Sequence, residues 1–277
     1  MAIATGCDGS QCGRPRSHRH GQGGDERESA RAAALENFRT LFEVVEARTP
    51  AELEAAYRLR YQVYCIENPF ECKEDNPGER ETDRFDWHSV HCILVHRASQ
   101  DVIGTLRLVL PLGRALPIQE LEPSPLDFFE GHLPLETTAE VSRFAVSKDF
   151  RRRQGEERYP DVSWQGPDGS QSAAPMRRLM PYLSVGLLQG ALKLSLRHGV
   201  THMCAIIDPS LLRLLGRFGL HFQPIGEPVS YHGVRQPCIA ELDALLRSAA
   251  EEQPDIWALG TEDGKLLEGL KTGRVSA

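Results

Sequence analysis

The sequence predicts an α+β fold built round one mixed sheet flanked by helices, and three observations carry that expectation. Short apolar segments alternate with amphipathic stretches in the order strand, helix, hairpin, strand, helix, strand, helix, strand. Two of those segments, residues 91–96 and 103–110, are joined through Ala98-Ser99-Gln100-Asp101, as an antiparallel hairpin requires. No internal repeat is present, and 277 residues with 40% hydrophobic and 26% charged side chains suit one large core or two small ones.

The elements follow in chain order. Residues 1–34 are rich in Gly, Ser, His and charge and read as a disordered polar tail ahead of a domain spanning 35–250. Phe42-Glu43-Val44-Val45 is a short strand, and Thr49-Pro50-Ala51-Glu52 supplies an N-cap, a first-turn proline and an acidic first turn. The helix that follows runs to about Val63, with Leu53, Ala56, Tyr57, Val63 and Tyr64 on its apolar face and Arg60 beside that face. A polar loop over 67–88 leads to the hairpin, and residues 140–146 form a further strand. Residues 154–175 are a Gly/Pro/Ser/Gln-rich flexible insertion. Leu179, Leu183, Leu187, Ala191 and Leu194 recur at helical spacing until Gly199 ends the helix. A strand over 202–207, a helix over 209–218 capped by Asp208, and closing strands over 220–231 complete the domain. Residues 251–277 read as a loosely docked or disordered polar tail.

Composition excludes several functions. The 32 Lys+Arg against 39 Asp+Glu leave a net charge of −7, which argues against nucleic-acid binding. No apolar stretch reaches the roughly 18 residues of a transmembrane helix, and the opening lacks the features of a signal peptide, so the expected location is the cytoplasm. Seven cysteines at irregular spacing imply no disulfide framework. Cys65, Cys72, His88, His91 and Cys92 fit none of the usual ligand spacings, and no metal site is expected. Gly-x-Ser-x-Gly and Walker motifs are absent, which argues against serine or nucleotide hydrolysis. Gly186-x3-Gly190 signals close helix packing.

Four clusters carry chemistry. Glu81, Asp83 and Asp86, interleaved with Phe85 and Trp87, lie just before the hairpin, and the aromatics argue that this loop packs down. Arg107 alternates onto the side of Ile103 and Thr105, opposite Leu106 and Leu108. In the next strand Glu140 and Ser142 share one side while Val141 and Arg143 take the other. An arginine on each of two strands, with acids nearby, points to a charged cavity. Lys148, Arg151, Arg152 and Arg153 form a basic run followed by the insertion rather than by a glycine-rich loop, which weakens a coenzyme A phosphate cradle and suits an acidic partner.

These residues together resemble a known family. Leu59-Arg60, Tyr64, Phe70, Glu81-x-Asp83-x-Phe85-Asp86, Ile103-Gly104-x-x-Arg107 and Glu140-x-x-Arg143 match in spacing the N-acyl-homoserine lactone (autoinducer) synthases, a branch of the GNAT acyltransferase fold. Asp208-Pro209, Arg217-Phe218-Gly219 and Tyr231-His232-Gly233-x-Arg235-Gln236-Pro237 resemble more closely a sibling group, the PEP-CTERM/exosortase system-associated acyltransferases, which are also similar to N-acyl amino acid synthases. Tyr64 stands where the family usually has Phe, Phe70 where it has Trp, and Glu67 where it has a basic residue.

The resemblance implies transfer of a fatty acyl group from the phosphopantetheine thioester of an acyl carrier protein to a small amine, an amino acid or an S-adenosylmethionine-like molecule, with no bound cofactor. An ammonium must lose a proton before it attacks, which gives Glu140 the general-base role and Asp83 and Asp86 the acceptor-binding role. Arg60, Arg107 and Arg143 would tie the acids into one array, with Tyr64 and Phe70 beside the substrate, and a backbone N–H near Phe144 or Ala145 would meet the oxyanion. Leu183, Leu187, Ala191 and Ile206 are expected to wall the acyl chain, and Lys148 with Arg151–Arg153 to dock the carrier. The rivals are an acetyl-coenzyme A-dependent amine N-acetyltransferase and a non-catalytic acyl-carrier or lipid-binding module.

Overall fold

The computed structural model describes residues 22–122, 124–125, 133–148, 164–165, 171–172, 176–231 and 233–271. Its chain starts with α1 (Gln22–Leu41), β1 (Phe42–Glu46) and α2 (Pro50–Tyr61), followed by the hairpin β2 (Ser89–His96) and β3 (Val102–Val109), then β4 (Thr138–Val146). After the short pair β5 (Trp164–Gln165) and β6 (Gln171–Ser172) come α3 (Met176–Arg197), β7 (His202–Ile207) and α4 (Pro209–Arg217). The short β8 (Gln223–Pro224) and β9 (Val229–Ser230) precede β10 (Val234–Glu241), and α5 (Leu242–Glu252), α6 (Pro254–Thr261) and α7 (Lys265–Lys271) follow.

The main sheet has the order β1-β2-β3-β4-β7-β10-β8, with β9 paired to β10. Among its ladders β4 and β7 alone are parallel, as the α3 crossover between them requires. Their pairing holds from Thr138–His202 to Glu140–Cys204 and then stops, although both strands continue, so they splay apart beyond Glu140. This gap positions the site.

One face of the sheet carries α2. Thr49 and Glu52 form a complete capping box, Ala56 packs with Ala47 and Ile93, and a π-helical turn, Gln62–Glu67, extends the helix. The other face carries α3, whose Leu183, Leu187, Ala191 and Leu194 are buried against β2, β3 and β4 residues. Each motif glycine makes room for a separate neighbour: a Cβ on Gly186 would fall 2.2 Å from the Phe38 ring of α1, and one on Gly190 would fall 2.4 Å from Cys92 Sγ on β2. No described helix is long and apolar enough to cross a membrane.

Several expectations need correction. The polar tail expected over 1–34 gives way to helix from Gln22, because Ala34, Leu35, Phe38 and Leu41 bury an apolar stripe; residues 1–21 lie outside the described residues. The tail expected over 251–277 contains α6 and α7, with Ile256 and Leu259 buried in the main core. The principal closing strand is Val234–Glu241, beyond the 220–231 segment expected to close the sheet. A register shift between Leu94 and Val95 turns Ile103 into the core with Leu106 and Leu108, away from Arg107. Of the insertion 154–175, only the β5–β6 pair lies within the described residues.

Candidate active site

Three arginines from three elements converge on one loop. Arg60 of α2 donates from Nε to Glu81 at 2.5 Å and from its two terminal nitrogens to Asp86 at 2.6 and 3.0 Å. Arg107 of β3 reaches Asp83 at 2.5 Å, Asp86 at 2.9 Å and Ser142 Oγ at 3.0 Å. Arg143 of β4 reaches Glu81 at 2.8 Å and Asp83 at 2.9 Å. Glu71 adds a longer contact to Arg143 at 3.4 Å, so four carboxylates face the three guanidiniums. Burial alone would raise Asp86, but the hydrogen bonds and charge of Arg60 and the charge of Arg107 outweigh it and hold the carboxyl well below its usual range. Glu81 and Asp83 are lowered in the same way, against burial, by their arginine partners.

A bulge brings Arg143 into this array. Thr105 pairs with Ala145 but Arg107 pairs with Ser142, so two residues of β4 stand opposite Leu106, and Arg143 takes φ +49°. Strict alternation would set Arg143 on the side away from Glu140 and Ser142. The extra residue reverses that, which corrects the expectation from the sequence. Tyr64, on the π-helical turn, donates to the Phe144 carbonyl at 3.3 Å while the Arg143 guanidinium lies 5.5 Å from its ring centre.

Beside the array opens a cavity of about 600 Å³. It runs through the gap between β4 and β7. On the α2 side it meets Tyr64, Phe70, Asp83, Phe85, Arg107, Glu140 and Arg143. On the α3 side it meets Leu188, Ala205, Ile207, Leu211, Leu215 and Phe222, so one end is charged and the other apolar. Glu140 sits at the narrow point of the gap. Its Oε2 accepts from the Ile118 backbone N–H at 2.6 Å, and burial, only partly offset by that bond and by the charges of Arg107 and Arg143, pushes its pKa up to about 8. The two guanidiniums do little more because Glu81, Asp83 and Asp86 already neutralise them.

The expected site residues thus divide. Glu140, Arg107, Arg143, Asp83, Tyr64, Phe70, Phe144, Ala145 and Ile206 line one cavity. Arg60 and Asp86 stand behind it, fully or nearly buried, and hold the lining groups in place instead of facing a substrate. Leu183, Leu187 and Ala191 do not reach the cavity: their stripe faces the sheet, and Leu188, about 100° round the helix, turns to the gap. Lys148 is not free to dock a partner, because its Nζ binds the Glu67 carbonyl at 3.0 Å and the Asn68 side chain, while Glu67 accepts from Ser147 and from the Lys148 backbone. Arg151, Arg152 and Arg153 lie outside the described residues.

Four residues gain a place that the sequence reading did not give them. Glu81 was part of the acidic motif but had no role, and it bridges Arg60 and Arg143. Leu188 is one position off the periodic stripe. Tyr231 and Arg235 line the outer cavity, with Arg235 bound to Asp208 at 2.8 Å.

Residues 59–159 match the family model of the acetyltransferase (GNAT) domain. Together with the splayed parallel strands and the bulged β4, this defines the fold as GNAT-like, an α+β architecture with a mixed sheet flanked by helices. Similar solved structures include TofI in a ternary complex with an inhibitor and MTA, at 23% identity and TM-score 0.53, covering 78% of this chain and 99% of that one. FeeM, an N-acyl amino acid synthase from uncultured soil microbes, shares 16% identity at TM-score 0.53, covering 76% and 97%. BjaI, a CoA-dependent acyl-homoserine lactone synthase solved with SAM and isopentyl-CoA, shares 17% identity at TM-score 0.52, covering 78% and 89%. These likenesses are of fold. No curated protein matches the chain.

Proposed function

We propose that the protein is an N-acyltransferase of autoinducer-synthase type that moves a fatty acyl group from a phosphopantetheine thioester to a small amine. The observation that carries this reading is Glu140, a buried acid with its pKa near that of an amine, set where a charged pocket meets an apolar one. An acyl chain suits the apolar end, and an amine suits the end that holds Asp83 and Glu140.

A carboxyl poised at about 8 is matched to its task. Proton transfer from an ammonium to the ionised Glu140 carboxylate is nearly balanced, and because that form is the minor one below pH 8, acyl transfer should rise with pH towards that value. The amine nitrogen attacks the thioester carbon, Glu140 takes the proton, and the tetrahedral oxyanion collapses with loss of the pantetheine thiolate, which is reprotonated. A backbone N–H of the bulged strand, near Phe144 or Ala145, would stabilise that oxyanion. Asp83, Arg107 and Arg143 bind and orient the acceptor. Thioesters are already activated, so the buried Cys204 need form no covalent intermediate.

Acyl carrier protein is the proposed donor, on the strength of the basic run Arg151–Arg153, and the acceptor belongs to the amino acid or S-adenosylmethionine-like amines. PEP-CTERM/exosortase association remains part of this reading through the quoted C-terminal motifs. One observation favours a coenzyme A ester instead: the inward tie of Lys148 removes one cation from the docking face.

Replacing Glu140 by Gln keeps the shape and removes the base, so turnover of an acyl-carrier thioester with its amine should fall by on the order of 10² or more. Mass spectrometry of lipid extracts from cells overproducing the wild type and the variant identifies the N-acyl product. Accumulation of the same product at the same rate in both would refute the role of Glu140, and absence of any acylated amine would favour a non-catalytic binding module.

A further inference from the structure

A second cavity, about 30 Å³ and almost wholly apolar, lies against the face of α3 that carries Val185, Leu188 and Leu192. Val185 and Leu192 of α3, Met203 of β7, and Leu245, Ile256 and Trp257 of α5 and α6 are among its walls. Among the described residues, Leu188 is the one that lines both cavities. It is 8% exposed and packs in the main core.

We propose that Leu188 is the residue that sets acyl-chain length, by closing the apolar end of the cleft against a distal pocket built by the C-terminal helices α5 and α6. This inference rests on the acyl-donor reading of the cleft and deepens it. The occupant is the methyl end of a saturated acyl chain, for three reasons. The cleft has a charged end at Asp83 and Glu140 and an apolar end that includes Leu188, so a chain anchored by its thioester near Glu140 places its tail among the apolar residues there. Both cavities touch the same side chain, so its truncation enlarges each of them from a shared wall. The distal void is also too apolar to hold water, and its size is close to that of one water molecule or one methylene. In the native protein the chain ends at Leu188. Removal of its three outer carbons joins the spaces and admits a tail longer by about two to four methylenes.

The test is binding of S-acyl pantetheines of graded saturated chain length to the purified full chain, followed by fluorescence displacement with melting temperature measured alongside. Affinity of the wild type should rise roughly fourfold per methylene and then level off at a defined length. In Leu188→Ala the plateau should move to longer chains by about two to four methylenes, and in the milder Leu188→Val by about one. Gly260 lines the distal pocket, and a Cβ there meets nothing within 4 Å, so a side chain can start from this position without a clash and Gly260→Met is the variant chosen to fill the pocket. Adding it to Leu188→Ala should restore the native plateau. A folded Leu188→Ala or Leu188→Val with an unmoved plateau overturns the inference while leaving the acyl-donor reading intact, as does a moved plateau that Gly260→Met fails to restore. Absence of any length-dependent binding in the wild type overturns both.

Discussion

At the scale of single residues, the site is a contest between burial and pairing, and the two outcomes lie a few ångströms apart. Asp86 is buried but faced by Arg60 and Arg107, and it stays ionised; Glu140 is buried and faced by cations already spent on other acids, and it holds its proton to about 8. That difference sets the sign of a stability test. Unfolded, Glu140 titrates near 4.5, so between 4.5 and about 8 the native state keeps a proton that the unfolded state has lost. Stability contributed by this group therefore falls as pH rises through that window, and the full penalty is present above pH 8. Glu140→Gln carries no such penalty. Its melting temperature should match the wild type in acid and exceed it increasingly from pH 5 to pH 8, at roughly 2–4 °C per kcal/mol for a domain of this size. A pH-independent difference between the two would show that Glu140 is not raised. Arg60 is the opposite case. Arg60→Ala leaves Glu81 and Asp86 buried without their partner and should destabilise the fold by roughly 3–5 kcal/mol in denaturant titration, and Arg60→Lys should not restore it because an ammonium cannot fork to both acids. The roles of these residues came from the family resemblance, while the presence of a charged cavity was legible in the sequence from an arginine on each of two strands with acids nearby. The side of the strand from which Arg143 acts was not, since a period of two cannot register an extra residue at φ +49°.

Elements were legible where local chemistry and burial agree. The N-terminus of α2 could be read from Thr49, Pro50 and Glu52 alone, and the capping box forms with Glu52 receiving the Thr49 N–H at 2.8 Å. The β2–β3 hairpin followed from its short connection. β10 was missed because Arg235, Gln236 and Pro237 break the apolar pattern; the proline is tolerated opposite Ile206, and the strand is held by β7 over 236–241. α1 was missed because its sequence is mostly polar, although Ala34, Leu35, Phe38 and Leu41 are buried, and α6 and α7 because they are short and fall in a segment read as a polar tail, although Ile256 and Leu259 are buried. In α3 the periodic stripe was read correctly as a buried face but given the wrong neighbour. Ala191 is fully buried against the sheet and does not line the cleft, so Ala191→Phe should act as overpacking and lower stability by roughly 1–3 kcal/mol. The product chain-length distribution should stay as in the wild type. A shortened distribution from a stably folded Ala191→Phe protein, measured by mass spectrometry beside a melting curve, would return the acyl tail to that stripe.

For the whole molecule, the decisive property is charge, since the chain as a whole carries −7 and an acyl carrier protein is acidic. Two anionic surfaces repel unless one presents a local basic patch, and the densest run of cations in the sequence is Arg151-Arg152-Arg153, directly after the strand that carries Glu140 and Arg143. A carrier protein would feel the arginines over its whole docking face, whereas a coenzyme A ester presents only its phosphates. The two donors therefore separate by how steeply they respond to charge reversal and to salt. Changing the three arginines together to Glu should depress turnover of acyl-carrier thioesters strongly at low ionic strength. The loss should shrink as salt rises, because screening shortens the range of the attraction to about 10 Å at 0.1 M and about 3 Å at 1 M. The effect should appear mainly in KM, as expected for a changed encounter rate, with kcat near that of the wild type since Glu140 and the acid array are untouched. Equal turnover of carrier and coenzyme A esters by the wild type, with no loss of carrier turnover in the charge-reversed variant at any salt, would make the donor a coenzyme A thioester and leave the acyl-transfer chemistry of the cleft unaltered.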